Sequence, residues 1–291
     1  MPAPIPTGRT RPILKSLDAI YQTRALPPGT ARYWSWFFAA AEARAPLLGI
    51  FALCAEWQAL MDPATEASAA RLKLNWWREE MERLIAGRAL HPISAYLAAL
   101  PRAVSVDFAP LLTAVGAAAE HLYGVPLERG ADLEPQSDAL WGQPLALASR
   151  LAGWVADEPA LRRCTGAIAA AEVLSRAIRD YRHEARAGRV PFPVDELLAA
   201  GVDNQDLAAA VPPPRLLDYL GRMRARAAGY FDMAAQALPR EQRARQRHLL
   251  VLAALGRRQL GEERPLGRYR LKDMLLAWTT ARRANRKGAS A

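Results

Sequence analysis

Apolar residues recur every three to four positions along almost the whole of this chain, and that period leaves few architectures open. The pattern runs over 33–61, 64–85, 104–123, 137–155, 160–187, 214–238, 241–260 and 271–283, a spacing that lines one face of a helix. No tract alternates with a period of two for long enough to build a sheet. Breaks fall at Asp62-Pro63, His91-Pro92, around Gly201, at Pro212 to Pro214 and from Gly261 to Pro265, where proline and glycine interrupt helices. Thr65 and Asp203 stand where N-caps are expected. The chain should therefore be all-α. Residues 15–283 read as one domain, between a proline- and arginine-rich disordered tail (1–14) and a basic tail (284–291).

With 291 residues, 51% of them hydrophobic, the chain is long enough to bury a substantial core. Cys54 and Cys164 lie in apolar helical patterns without a CxxC or CxxH neighbourhood, which points to a reducing compartment, no disulfide framework and no zinc site. The first residues carry charge and proline where a signal peptide needs an apolar stretch, and no run of 18 uncharged apolar residues occurs. We expect a cytoplasmic protein. The formal net charge of +10 suits nucleic acid, anionic lipid or phosphorylated ligands alike. No RNA-binding motif or recognition helix accompanies it, so nucleic acid is not expected, whereas peripheral contact with membrane headgroups remains open.

The segment with most chemical content is RDYRHEARAGRVPFP, Arg179 to Pro193. Asp180 and Glu184 are four residues apart, so they project from one side of a helix, and Arg179, Arg186 and Arg189 surround them with phosphate-binding chemistry. The same residues also fit a solvated ladder of ion pairs, Glu172, Arg176, Asp180 and Glu184 at successive i,i+4 positions. The run resembles the second diphosphate-binding motif of squalene and phytoene synthases. That resemblance implies an isoprenoid-synthase-type helical bundle around a central cavity, head-to-head prenyl coupling in isoprenoid biosynthesis, and Mg2+ held by carboxylates of two facing helices. Asp180 and Glu184 are its implied metal ligands. Arg176 stands where active relatives carry asparagine.

The family's first aspartate-rich motif aligns with Ala52 to Asp62, but its paired acids fall on Gln58 and Ala59, and only Asp62 survives. Glu56 lies six residues before Asp62, about 120° round a helix, and cannot converge with it on one ion. Asp62 before Pro63 reads as a turn residue. The opening YWSWFFAAAEARAPLLGIFALCAEW is similar to the family's first helix. RLKLNWWREEMERLIAGRALHP is similar to its second, with a WRxE core and a terminal HP. The degraded first motif resembles the divergent branch that contains a mitochondrial complex I assembly factor.

The aromatic group Tyr33, Trp34, Trp36, Phe37, Phe38, Trp57, Trp76 and Trp77 can fill a core or wall a carbocation cavity. His91 and His183 lack the neighbours of a triad or metal cluster. The leading expectation is a family member that does not couple prenyl diphosphates, and instead binds a prenyl diphosphate or anionic lipid or acts with a protein partner in assembly. An active prenyltransferase using Mg2+ and a basic helical membrane- or nucleic-acid-binding protein are the alternatives.

Overall fold

The computed structural model describes residues 17–62, 64–155, 157–260 and 270–288. Among them every regular element is helical. The proposed disordered tail 1–14 and the break from Gly261 to Pro265 lie outside the described residues.

The helices are α1 (Ala19–Ala25), α2 (Ala31–Phe37), α3 (Ala41–Leu60), α4 (Ala67–Ile85), α5 (Pro92–Ala98), α6 (Pro110–Leu122) and α7 (Leu133–Ser137), then α8 (Gln143–Leu151), α9 (Glu158–Arg186), α10 (Val194–Ala199), α11 (Asn204–Ala208), α12 (Pro214–Ala237), α13 (Arg247–Gln259) and α14 (Leu271–Gly288). The long α9 forms the spine. It lies along α12 and touches α7, α8, α11 and α13, while α3 packs on α1, α5 and α8. One core cluster of buried residues runs from Leu17 to Ala281 through these helices. No helix among the described residues is long and apolar enough to cross a membrane.

Tertiary contacts redraw several boundaries. The tract 33–61 is two helices, because Arg247 of α13 donates to the carbonyls of Phe38 (2.7 Å) and Ala39 (3.1 Å) and so closes α2 from outside. Helix α4 is capped by Glu66, whose carboxylate accepts from Ser68 N (2.9 Å) and Ala69 N (2.7 Å), and not by Thr65. Asp203 caps α11 as expected, within a capping box with Asp206. Of the basic tail expected over 284–291, residues 284–288 lie in α14 and the others lie outside the described residues.

A π-helical turn, Asp138–Gly142, joins α7 to α8. Gly142 is required there, since a Cβ would meet the Asp138 carboxylate and the Gly166 backbone. Such turns rotate the residues that follow. This one carries Trp141, which lines the cavity described below.

The WRxE and HP signatures turn out to be one device. Glu80, fully buried, accepts from the backbone N–H groups of Leu90 and His91 (both 2.8 Å), from Arg83 Nε (2.8 Å) and from the Ser94 hydroxyl. Burial alone would raise its pKa, but these donors together hold it down at about 2.

Candidate functional site

A cavity of about 1590 Å³ opens between α2, α3, α4, α9 and α12. Gln58, Ala59 and Asp62 line it from α3 and its following turn, and Arg176, Arg179 and Asp180 line it from α9. The two segments that the sequence singles out therefore share one cavity wall. Their ends touch: His183 Nε2 lies 3.7 Å from Asp62 Oδ1, and Arg189 Nη2 donates to the Met61 carbonyl at 3.1 Å.

Local structure explains that second contact. Helix α9 ends with Gly188 at φ +75, while Arg189 N donates to Glu184 O and Gly188 N to Ala185 O, each at 3.0 Å. This is a Schellman ending, which needs a left-handed residue that glycine supplies without strain. It folds Arg189 back across its own helix, so that Nε reaches Glu184 Oε2 at 2.6 Å in a nearly sealed pair. Arg189 is therefore a strut between α9 and the end of α3. Glu184, 5% exposed, faces this strut, and neither residue lines the cavity. Arg186 is exposed and also lies away from it. The phosphate rim expected from Arg186 and Arg189 is not formed by these two residues.

Asp180 stays at the cavity but is already engaged. Arg179 Nε and Nη2 meet its two oxygens at 2.9 Å each, and Arg176 Nε lies 3.8 Å away. Burial pulls the Arg176 guanidinium below the ordinary arginine value, with Asp180 and Glu184 opposing the shift. Asp62 heads a turn, its carboxylate accepting from Ala64 N at 2.8 Å. Among the described residues no three His, Cys, Asp or Glu side chains lie together closely enough to hold a metal ion. This donor set does not fit a magnesium cluster. Asp180 and Glu184 are matched by guanidinium groups where bridging cations would otherwise be required, and Asp62 is taken up by its turn.

The lining as a whole is basic and apolar. Among the described residues it carries eight basic side chains, including Arg32, Lys73, Arg182 and Arg224, against the four acids Glu56, Asp62, Glu172 and Asp180. Glu56 is itself paired with Arg24 at 3.0 Å. Arg32 is held by ring faces, 5.9 Å from the centre of Phe51 and 5.7 Å from that of Trp141. Burial raises the pKa of Glu172, with Arg32 and Arg179 opposing. Arg182 Nε is buried with no hydrogen-bond partner. Trp76, Trp77 and His91 close another part of the wall, His91 lying edge-on to Trp77 at 4.6 Å. His91 Nδ1 accepts from Ile93 N, which leaves Nε2–H to face the Tyr21 hydroxyl at 3.2 Å. Burial lowers its pKa and favours this neutral form.

Of the aromatic group, Tyr33 to Phe38 lie outside the lining and Trp57 is fully buried. Sequence reasoning missed Arg32, Trp141 and Arg182. Arg182 lies within the RDYRHEARAGRVPFP run and Arg32 is a cation at the start of the aromatic run ARYWSWFF, whereas Trp141 carried no signal.

The sequence model of squalene/phytoene synthase matches residues 27–268. Phytoene synthase 1, chloroplastic, from Arabidopsis thaliana is 23% identical over 201 residues, covering 68% of this chain and 48% of the plant protein. The chain thus spans about half the length of that relative. Among solved structures, squalene synthase HpnC from Alicyclobacillus acidocaldarius superposes with a TM-score of 0.62 at 19% identity, over 86% of this chain and 88% of the other. A dehydrosqualene synthase in complex with ligand gives a TM-score of 0.66 at 12% identity, over 90% and 92%. These similarities carry the fold.

Proposed function

The chain belongs to the squalene/phytoene synthase family, and from that premise we propose that it has kept the family's cavity as a metal-independent binding site for an amphiphile with a phosphorylated head. The observation that carries this reading is the pairing of its acids. Asp180, in the cavity wall, is closed by Arg179 with Arg176 beside it, Glu184 is turned away from the cavity and closed by Arg189, and the remaining charge of the lining is mostly basic.

Guanidinium groups bind phosphate oxygens through paired N–H donors and keep their charge across the physiological range. Arg32, Arg176 and Arg182 supply that chemistry along one wall, and the apolar lining takes the chain of the ligand. Prenyl diphosphates and anionic lipids share this shape. Prenyl coupling in this family usually needs Mg2+, and loss of the acids at Gln58 and Ala59 removes the electrostatic stabilisation that ionising a diphosphate requires.

Calorimetry with farnesyl diphosphate in EDTA tests the reading. Binding should survive the chelator, weaken at high salt, and fall at least tenfold when Arg32 and Arg176 are both changed to glutamine. A phosphatidic acid arm distinguishes a lipid from a prenyl ligand. Magnesium-dependent release of diphosphate with a C30 or C40 hydrocarbon product would overturn the proposal in favour of an active prenyltransferase.

A further inference from the structure

Helix α14 buries alanines and packs Met274 and Leu276 partly against the core, but leaves three large apolar residues exposed. Ala277, Ala281 and Ala284 are buried on the side packed against α13, together with Asp273, which is paired with Arg258 at 2.8 Å. Leu271, Leu275 and Trp278 point the other way, 66%, 46% and 44% exposed. Their i, i+4, i+7 spacing confines them to roughly 60° of arc. A helix serving only to complete the core would place these three side chains inward.

The charges of the outward side share one sign. Lys272, Arg282, Arg283 and Arg286 are exposed, whereas Asp273 is withdrawn into the core contact. Arg282 lies 5.1 Å over the Trp278 ring. Leucines and a tryptophan flanked by arginine and lysine, on a chain of formal net charge +10, match an anionic interface in both polarity and sign. Position adds to this. Arg270, next to the start of α14, and Gln259 and Leu260, at the end of α13, line the large cavity.

We propose that the outward face of α14 is a docking surface for an anionic lipid bilayer, which lays the protein on the membrane with its cavity beside the lipid. The inference stands whatever the cavity binds, because it rests on the exposed residues of α14 and the charge of the chain and not on the cavity's ligand. It is tested with the full chain and vesicles of phosphatidylcholine, with and without phosphatidylglycerol.

The parent should float with the phosphatidylglycerol vesicles, bind the neutral ones poorly, and detach at high salt. Leu275→Ser with Trp278→Ser should weaken partition roughly tenfold or more through lost apolar burial. Arg282→Gln and Arg283→Gln should each weaken it about fivefold, and only on anionic vesicles. All three variants should melt with the parent, since none of these side chains is buried in the core. Failure of the parent to bind phosphatidylglycerol vesicles, or binding by all three variants equal to the parent's, overturns the proposal. So does light scattering that finds a parent dimer which the serine variant dissociates, for a second copy would then cover the face.

Discussion

Arg189 shows how a residue can be legible in type and not in role. Its place in the motif marks it as a basic partner for anions, but its partner is set by the turn at Gly188, which directs it to Glu184 and the Met61 carbonyl. Arg189→Ala should cost on the order of 3–5 kcal/mol in urea denaturation, because it leaves a buried carboxylate without a counter-charge. Adding Glu184→Gln should recover part of that loss. Glu80 gives a second test at this scale. Its folded pKa of about 2 lies below the ordinary value of 4.5, so its stabilisation is present above pH 4.5 and is lost as the pH falls towards 2. Glu80→Gln should therefore melt below the parent at pH 7, and the gap should narrow steadily in acid. Glutamate at this position was readable as part of WRxE. That it secures the loop before His91-Pro92 was not, since the pairing spans ten and eleven residues and depends on burial.

At the scale of elements, the approach of the α3 and α9 motif segments was legible through the family resemblance of those segments, which implies two facing helices. The break between α2 and α3 was not: no glycine or proline marks it, and Arg247, distant in sequence, makes it. The same distinction governs attempts to rebuild a metal site. Gln58→Asp with Ala59→Asp restores carboxylates to α3, yet Asp180 on α9 remains bound by Arg179 and crowded by Arg176. The double variant should therefore take up magnesium little better than the parent in calorimetry. Adding Arg176→Asn removes a buried competing cation and should raise the affinity roughly tenfold or more. If the double variant alone binds magnesium well, the arginines do not hold Asp180 away from cations in solution.

For the whole molecule, the helical period identified the fold class because it states which face of each helix is buried. It cannot state what the assembled faces leave open, so the cavity was expected from the family resemblance alone, and the place of Arg32 and Arg182 in its lining emerged only with the packing of α2 and α9 around it. A cavity of about 1590 Å³ bordered by residues of the core makes stability sensitive to occupancy. A ligand that binds only the folded chain adds about 2.7 kcal/mol at a concentration one hundred times its Kd. Farnesyl diphosphate should thus raise the melting temperature in EDTA as much as in magnesium. Inorganic diphosphate should raise it less, because it meets the arginines but buries no apolar chain. Salt should reduce both shifts by screening the head. A shift that appears only with magnesium would mean that carboxylates hold the phosphate through a cation, and that the guanidinium pairs seen at Asp180 and Glu184 open when ligand arrives.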